Sequence, residues 1–154
     1  MIELNPKINK ALVDINFLKR YECLSNAFDN IKTPLEERVR YFDGELIIDS
    51  INQLGYIVDF EPKEKYFRIK EQQIKNYTFA INIILDSGMV DIVWIVKEND
   101  VLILGLPLGE FSRLMISPDY RIKKPIFGSY EDLDEIFHIS LQMFEDFKCA
   151  LIHG

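Results

Sequence analysis

The spacing of apolar residues changes along the chain, and the changes divide it into helical and extended segments. Ile8, Leu12, Ile15, Leu18, Tyr21, Leu24 and Phe28 recur every three or four residues behind Asn5-Pro6, a helix-start pair, and predict a helix over residues 6–30. Thr33-Pro34-Leu35-Glu36 then combines an N-cap threonine, proline at the first helical position and a glutamate that can reach back to the cap. It predicts a second helix from Pro34 through Leu35, Val39, Phe42, Leu46, Ile51 and Leu54 to Gly55, a left-handed cap. Asp43-Gly44 within that stretch supports a hairpin turn instead; the capping box and Gly55 bracket the stretch and favour the helix.

From Tyr56 the period falls to two. Tyr56–Phe60 and Tyr66–Ile69 flank the turn Glu61-Pro62-Lys63-Glu64 and predict one hairpin. Tyr77–Leu85 and Met89–Val96, rich in β-branched and aromatic residues, flank Asp86-Ser87-Gly88 and predict a second. A further turn at Lys97-Glu98-Asn99-Asp100 leads into Val101–Leu104. Residues 106–127, with Pro107, Gly109, Pro118 and Pro125, read as irregular with at most one short strand. Ser129 then caps a helix over 130–152, whose face is Leu133, Ile136, Phe137, Leu141, Phe144, Phe147 and Leu151. The expected fold is α+β: two N-terminal helices, a four- to five-stranded antiparallel meander and a C-terminal amphipathic helix, in a single domain over residues 1–154.

Composition narrows the classes. With 48% hydrophobic residues in 154, the chain can bury a core without disulfide or metal staples. Its 18 Lys+Arg against 25 Asp+Glu give a net charge of −7, which opposes binding of nucleic acid or anionic lipid through bulk electrostatics. The longest apolar stretch, Val101–Leu108, is far short of the roughly 20 residues that a membrane span needs. Met1–Lys7 lacks a basic region followed by an apolar one, so no secretory signal is expected. Cys23 and Cys149 lie far apart with no C-x-x-C spacing, and two reduced thiols in the cytoplasm are the expectation.

Catalytic signals are sparse. His138, beside Asp134 on the last helix, is the sole plausible acid-base imidazole, and no nucleophile or second ligand accompanies it. Glu61-Pro62-Lys63 behind Asp49 or Asp59 has the acid-x-Lys form of a nuclease metal site, but Pro62 would interrupt the strand that must display it. Phosphate-loop, dinucleotide and nucleophile-elbow patterns are absent. Arg121, Lys123 and Lys124, interleaved with Tyr120 and Phe127, form the densest basic cluster and read as a solvated loop. No catalytic, cofactor-binding or metal-binding residue is therefore nominated, and no enzyme activity is expected.

Charge is more informative. Residues 129–154 hold Glu131, Asp132, Asp134, Glu135, Glu145 and Asp146 against Lys148 alone, a balance of −5, which leaves −2 for the rest of the chain. Acids near a helix start suit the helix dipole, but Glu145 and Asp146 near its end do not, and a basic partner would account for both. Asp86, Asp91, Glu98 and Asp100 fall in or beside the meander turns and would extend one negative surface if those turns share an edge with the start of the last helix.

The meander Tyr77–Leu85 to Met89–Val96, together with the acidic closing helix, resembles in size and layout the immunity proteins of bacterial contact-dependent growth inhibition and related polymorphic toxin systems. The resemblance implies a cytoplasmic protein, monomeric apart from its complex, that binds one cognate toxin domain, often a basic nuclease, and has no direct dealings with nucleic acid or membrane. The expected contact residues are Asp86, Asp91, Glu98, Asp100, Glu131, Asp132, Asp134 and Glu135, with Tyr130 as an aromatic anchor. A type III secretion chaperone, also small, acidic and α+β but usually dimeric, is the alternative.

Overall fold

A computed structural model of the chain describes residues 3–154. Its elements in order are α1 (Pro6–Asp14), α2 (Phe17–Ala27), a three-residue 3-10 turn (Leu35–Glu37), α3 (Gly44–Gln53), β1 (Val58–Glu61), β2 (Tyr66–Ile74), β3 (Tyr77–Asp86), β4 (Met89–Glu98), β5 (Val101–Pro107), α4 (Leu108–Met115) and α5 (Tyr130–His153). The strands form one antiparallel sheet in the order β1-β2-β3-β4-β5, the meander that the period-two segments predict. Two of its turns are set by backbone chemistry. Ser87-Gly88 and Asn99-Asp100 are two-residue loops with positive φ at both positions, the I′ geometry that matches the right-handed twist of the flanking strands.

Three expectations from the sequence need correction. The single helix over 6–30 is two helices, because Asn16 adopts the left-handed conformation with φ 58 between them. Asparagine tolerates that conformation, and both helices keep their apolar residues on the core, so the periodicity runs unbroken through the joint. The second helix does not start at Pro34. Residues 38–43 run without regular structure, Val39 N–H donates to the Phe127 carbonyl at 3.2 Å, and Phe42 lies 5.9 Å from the Phe67 ring. The helix begins at Gly44, where the Asp43 carboxylate accepts from the Glu45 N–H at 3.0 Å. Asp43-Gly44 is thus a helix start, neither the interior of a longer helix nor a hairpin turn. The segment read as irregular contains α4, since Pro107 and Pro118 bracket that helix instead of breaking it.

Side chains alternate across β3 and β4. Phe79, Ile81, Ile83, Val90, Ile92, Trp94 and Val96 are buried under the helices. Their neighbours Thr78, Ala80, Asn82, Ile84, Asp91, Val93, Ile95 and Lys97 are half-buried on the opposite face. At the centre of the covered face Trp94 is fully buried among Phe147 (4.9 Å between ring centroids), Phe144 (5.4 Å), Phe17 (5.6 Å) and Phe111 (5.9 Å). One side chain of β4 therefore touches α2, α4 and α5. A bulge in β2, where Lys70 and Glu71 stand opposite Ala80 alone, turns Gln72 inward to accept from Lys148 Nζ of α5 at 2.6 Å.

Phe147→Ala should cost about 3–5 kcal/mol, because its ring lies against Trp94 in a site with no room to relax. Urea denaturation followed by circular dichroism measures this; a loss below about 1 kcal/mol would mean that α5 is not held through this cluster.

Candidate functional site

The acidic residues expected to form one surface are distributed over the molecule. Asp86 and Asp91 stand at the end of the sheet where α5 begins, for Phe127 N–H donates to the Gly88 carbonyl at 2.8 Å and Met89 pairs with Ile126. Glu98 and Asp100 stand at the far end of the ten-residue β4, about 23 Å from Asp91 and farther from Asp86 at the usual rise per strand residue. The meander turns therefore do not share one edge.

Several of these acids are also committed to local structure. Lys7 Nζ donates to Glu98 at 2.6 Å and thereby ties α1 to the β4–β5 turn. Asp91 pairs with Lys124 at 3.4 Å. Asp132 accepts from Lys32 Nζ at 3.0 Å and from the Gly128 N–H at 2.9 Å, while its own N–H donates to Ser129, the helix cap. The Tyr130 hydroxyl accepts from the Asp43 N–H at 2.9 Å. Asp86 accepts from the neighbouring Ser87 hydroxyl at 3.1 Å.

The apparent charge imbalance at the end of α5 also has a structural answer. Arg20 of α2 pairs with Asp146 at 2.8 Å, and Lys148 pairs with Glu145 at 2.8 Å. Glu145 further accepts from the Tyr56 hydroxyl. Burial, with this bond to Glu145, pushes the Tyr56 phenol well above its ordinary range. Asp146 therefore ties α5 to α2, and Glu145 ties it to Tyr56 while pairing within the helix, so their acidity is balanced without a partner.

The remaining carboxylates gather elsewhere. Ser50 donates to Asp134, and Asp43 meets Tyr130 as above, so α3 lies beside the first turns of α5. Asp43, Glu45 and Asp49 from α3 and its cap, with Glu131, Asp134 and Glu135 from α5, are all exposed. None of the six forms an ion pair with a described residue. Tyr41, 94% exposed, and Leu46, 47% exposed, stand in and beside the same connection. The α3 half of this patch was missed from the sequence, although its signal is present: residues 41–62 carry five acids and no Lys or Arg.

The acid-base candidate is not assembled. His138 is exposed, and Asp134 accepts from Ser50 rather than from the imidazole. Glu61-Pro62-Lys63 closes the β1–β2 hairpin, where the Glu61 carboxylate accepts from the Glu64 N–H. No group of three or more metal-ligating side chains occurs among the described residues.

The ion pair between Lys7 and Glu98 carries a pH signature. The hydrogen bond from Lys7 holds the Glu98 carboxyl below the usual carboxylate range, against a smaller opposing effect of burial. A carboxyl with a lowered pKa in the fold stabilises it above the unfolded pKa and loses that contribution as pH falls through the folded value. The stability advantage of wild type over Glu98→Gln should therefore be present near pH 6 and vanish toward about pH 3. Thermal melts of both proteins across that range check it, and an advantage independent of pH would refute the assignment.

No protein-family model, curated protein or solved structure matches the chain.

Proposed function

We propose that the chain is an inhibitory binding partner of the immunity-protein kind, which neutralises a cognate basic toxin domain through the carboxylate face shared by α3 and the start of α5. The observation that carries this reading is the set of six exposed carboxylates, Asp43, Glu45, Asp49, Glu131, Asp134 and Glu135, carried by two neighbouring segments and without an ion-pair partner among the described residues. Like charges held together repel, so such a grouping weakens the fold slightly unless something compensates it. A cationic nuclease cleft would do so. Carboxylates presented to it take the place of substrate phosphates, speed the encounter and reject partners of like sign. Tyr41 supplies what charge alone does not, since a nearly fully exposed aromatic ring with a polar tip is the kind of residue that anchors an interface.

A second reading, a secretion chaperone, has one observation in its favour: the sheet face bearing the apolar residues Ala80, Ile84, Val93 and Ile95 is only half-buried, unlike the face that bears Trp94. An extended effector segment would lie on such a face as a homodimer presents it. A monomer that binds a folded domain favours the inhibitor, and a homodimer that binds an unfolded segment favours the chaperone.

The test is co-expression with the product of the neighbouring upstream gene, which this reading expects to carry the toxin domain. The wild type should co-purify with it and protect the cells. Glu131→Lys with Glu135→Lys should slow association by roughly tenfold or more at low salt, with a smaller effect at high salt. Failure of the wild-type chain to bind or protect overturns the reading. Binding that ignores both the double variant and salt overturns the acidic face as its site.

A further inference from the structure

The overall charge of −7 conceals one region of opposite sign. β5 ends at Pro107 opposite Val93, and the chain returns to pair Ile126 with Met89, so the edge of β4 is left without a strand partner around Asp91. A cleft of about 460 Å³ opens there. Cationic side chains reach it from three separate segments: Arg38 before α3, Arg113 in α4, and Arg121, Lys123 and Lys124 in the loop before α5. Two of these are committed, Lys124 to Asp91 at 3.4 Å and Arg113 to Glu110 at 3.1 Å. Arg38, Arg121 and Lys123 have no ion-pair partner among the described residues.

Arg38 is fixed rather than loose. A Cβ built at Gly88 would come within 2.5 Å of the Arg38 Cβ, so the arginine stem crosses the β3–β4 turn at the one position with no side chain to block it. Its Nε is buried and has no acceptor among the described residues, although buried donors are normally paired. The start of α4 borders the same cleft at Pro107, Gly109 and Glu110, and no side chain caps that helix. Its first N–H groups and its dipole favour an anion.

We infer that this cleft binds a small phosphate-bearing molecule, with a phosphoryl or diphosphate group held by Arg38, Arg121, Lys123 and the start of α4. Three uncommitted cations match a multiply charged anion better than a single carboxylate, and guanidinium forks suit phosphate oxygens. Met89, Ile122 and Ile126 supply apolar surface for the body of the molecule. The volume suits a small molecule. A nucleic acid strand fits less well, because the cleft lining contains no aromatic side chain for base stacking and the chain as a whole repels a polyanion. This site is separate from the carboxylate face, and the inference stands whether or not that face binds a toxin.

Titration calorimetry and thermal melting of the purified chain with inorganic pyrophosphate and with ADP test it. Both should bind and raise the melting temperature; tighter binding of ADP would show that the apolar wall contacts an organic body, and equal binding that the phosphates suffice. Arg121→Gln with Lys123→Gln changes only exposed side chains and should weaken both ligands by about tenfold or more, as should Arg38→Gln. No binding by folded wild type at millimolar ligand overturns the inference, as does binding unchanged in the double variant. Capture of a single-stranded RNA or an acidic peptide by the same residues, with neither pyrophosphate nor ADP bound, also overturns it.

Discussion

The fold depends on the contact between α5 and the middle of the sheet. Trp94 stands at the centre of β4 with no exposed surface, and the rings of Phe144 and Phe147 reach it from α5 at helical spacing. Fully burying a large aromatic contributes about 1.5–3 kcal/mol, and ring pairs at these separations add about 0.5–1.5 kcal/mol beyond the area removed from water. Phe17 and Phe111 fill the other sides of the indole, so the position of α2 and α4 follows from the same residue. The indole Nε1–H has no acceptor among the described residues. An aromatic centre that leaves a donor unpaired is tolerated only where its packing outweighs the loss, which fixes how little this core can be altered.

Once α5 is seated, the distribution of charge follows. Its inward edge meets Arg20, Tyr56 and Gln72, so Glu145 and Lys148 are drawn into a polar cluster that pins the helix to α2 and to the entry of the sheet. The outward edge of its first turns meets α3, which carries acids of its own and no base. A charge count along one helix cannot distinguish these two edges. The −5 of the last segment is a mixture of ties that hold the molecule together and carboxylates that remain exposed.

What was legible in the sequence was local. The hairpin connection at Asp86-Ser87-Gly88, the Ser129 cap and the period-two strands all depend on chemistry within a few residues, and the meander and α5 follow from them. The joint at Asn16 was hidden because the two helices bury one continuous face. The extended passage through Val39 was hidden because its hydrogen bond goes to Phe127, far along the chain, and a capping box at Thr33 competes with that bond and loses. Surface sites fared worst for the same reason. Arg20 opposite Asp146, α3 beside α5 and Arg38 beside Lys123 are neighbours only after folding, so of the expected acidic residues only Glu131, Asp134 and Glu135 stay on the carboxylate face, where Asp43, Glu45 and Asp49 join them.

The connection 38–43 links the two regions of opposite charge. Arg38 at its start lines the basic cleft, and Tyr41 and Asp43 at its end stand at the carboxylate face. It has no regular secondary structure to hold it. Its path rests on the Val39 bond to Phe127, the Phe42 ring against Phe67 and the Asp43 bond to Tyr130. All three partners belong to the sheet or to the approach and first turn of α5, the elements that the Trp94 cluster holds in place. The aromatic core thus reaches the surface through a short irregular segment, and a disturbance of that segment would be felt at both charged regions together.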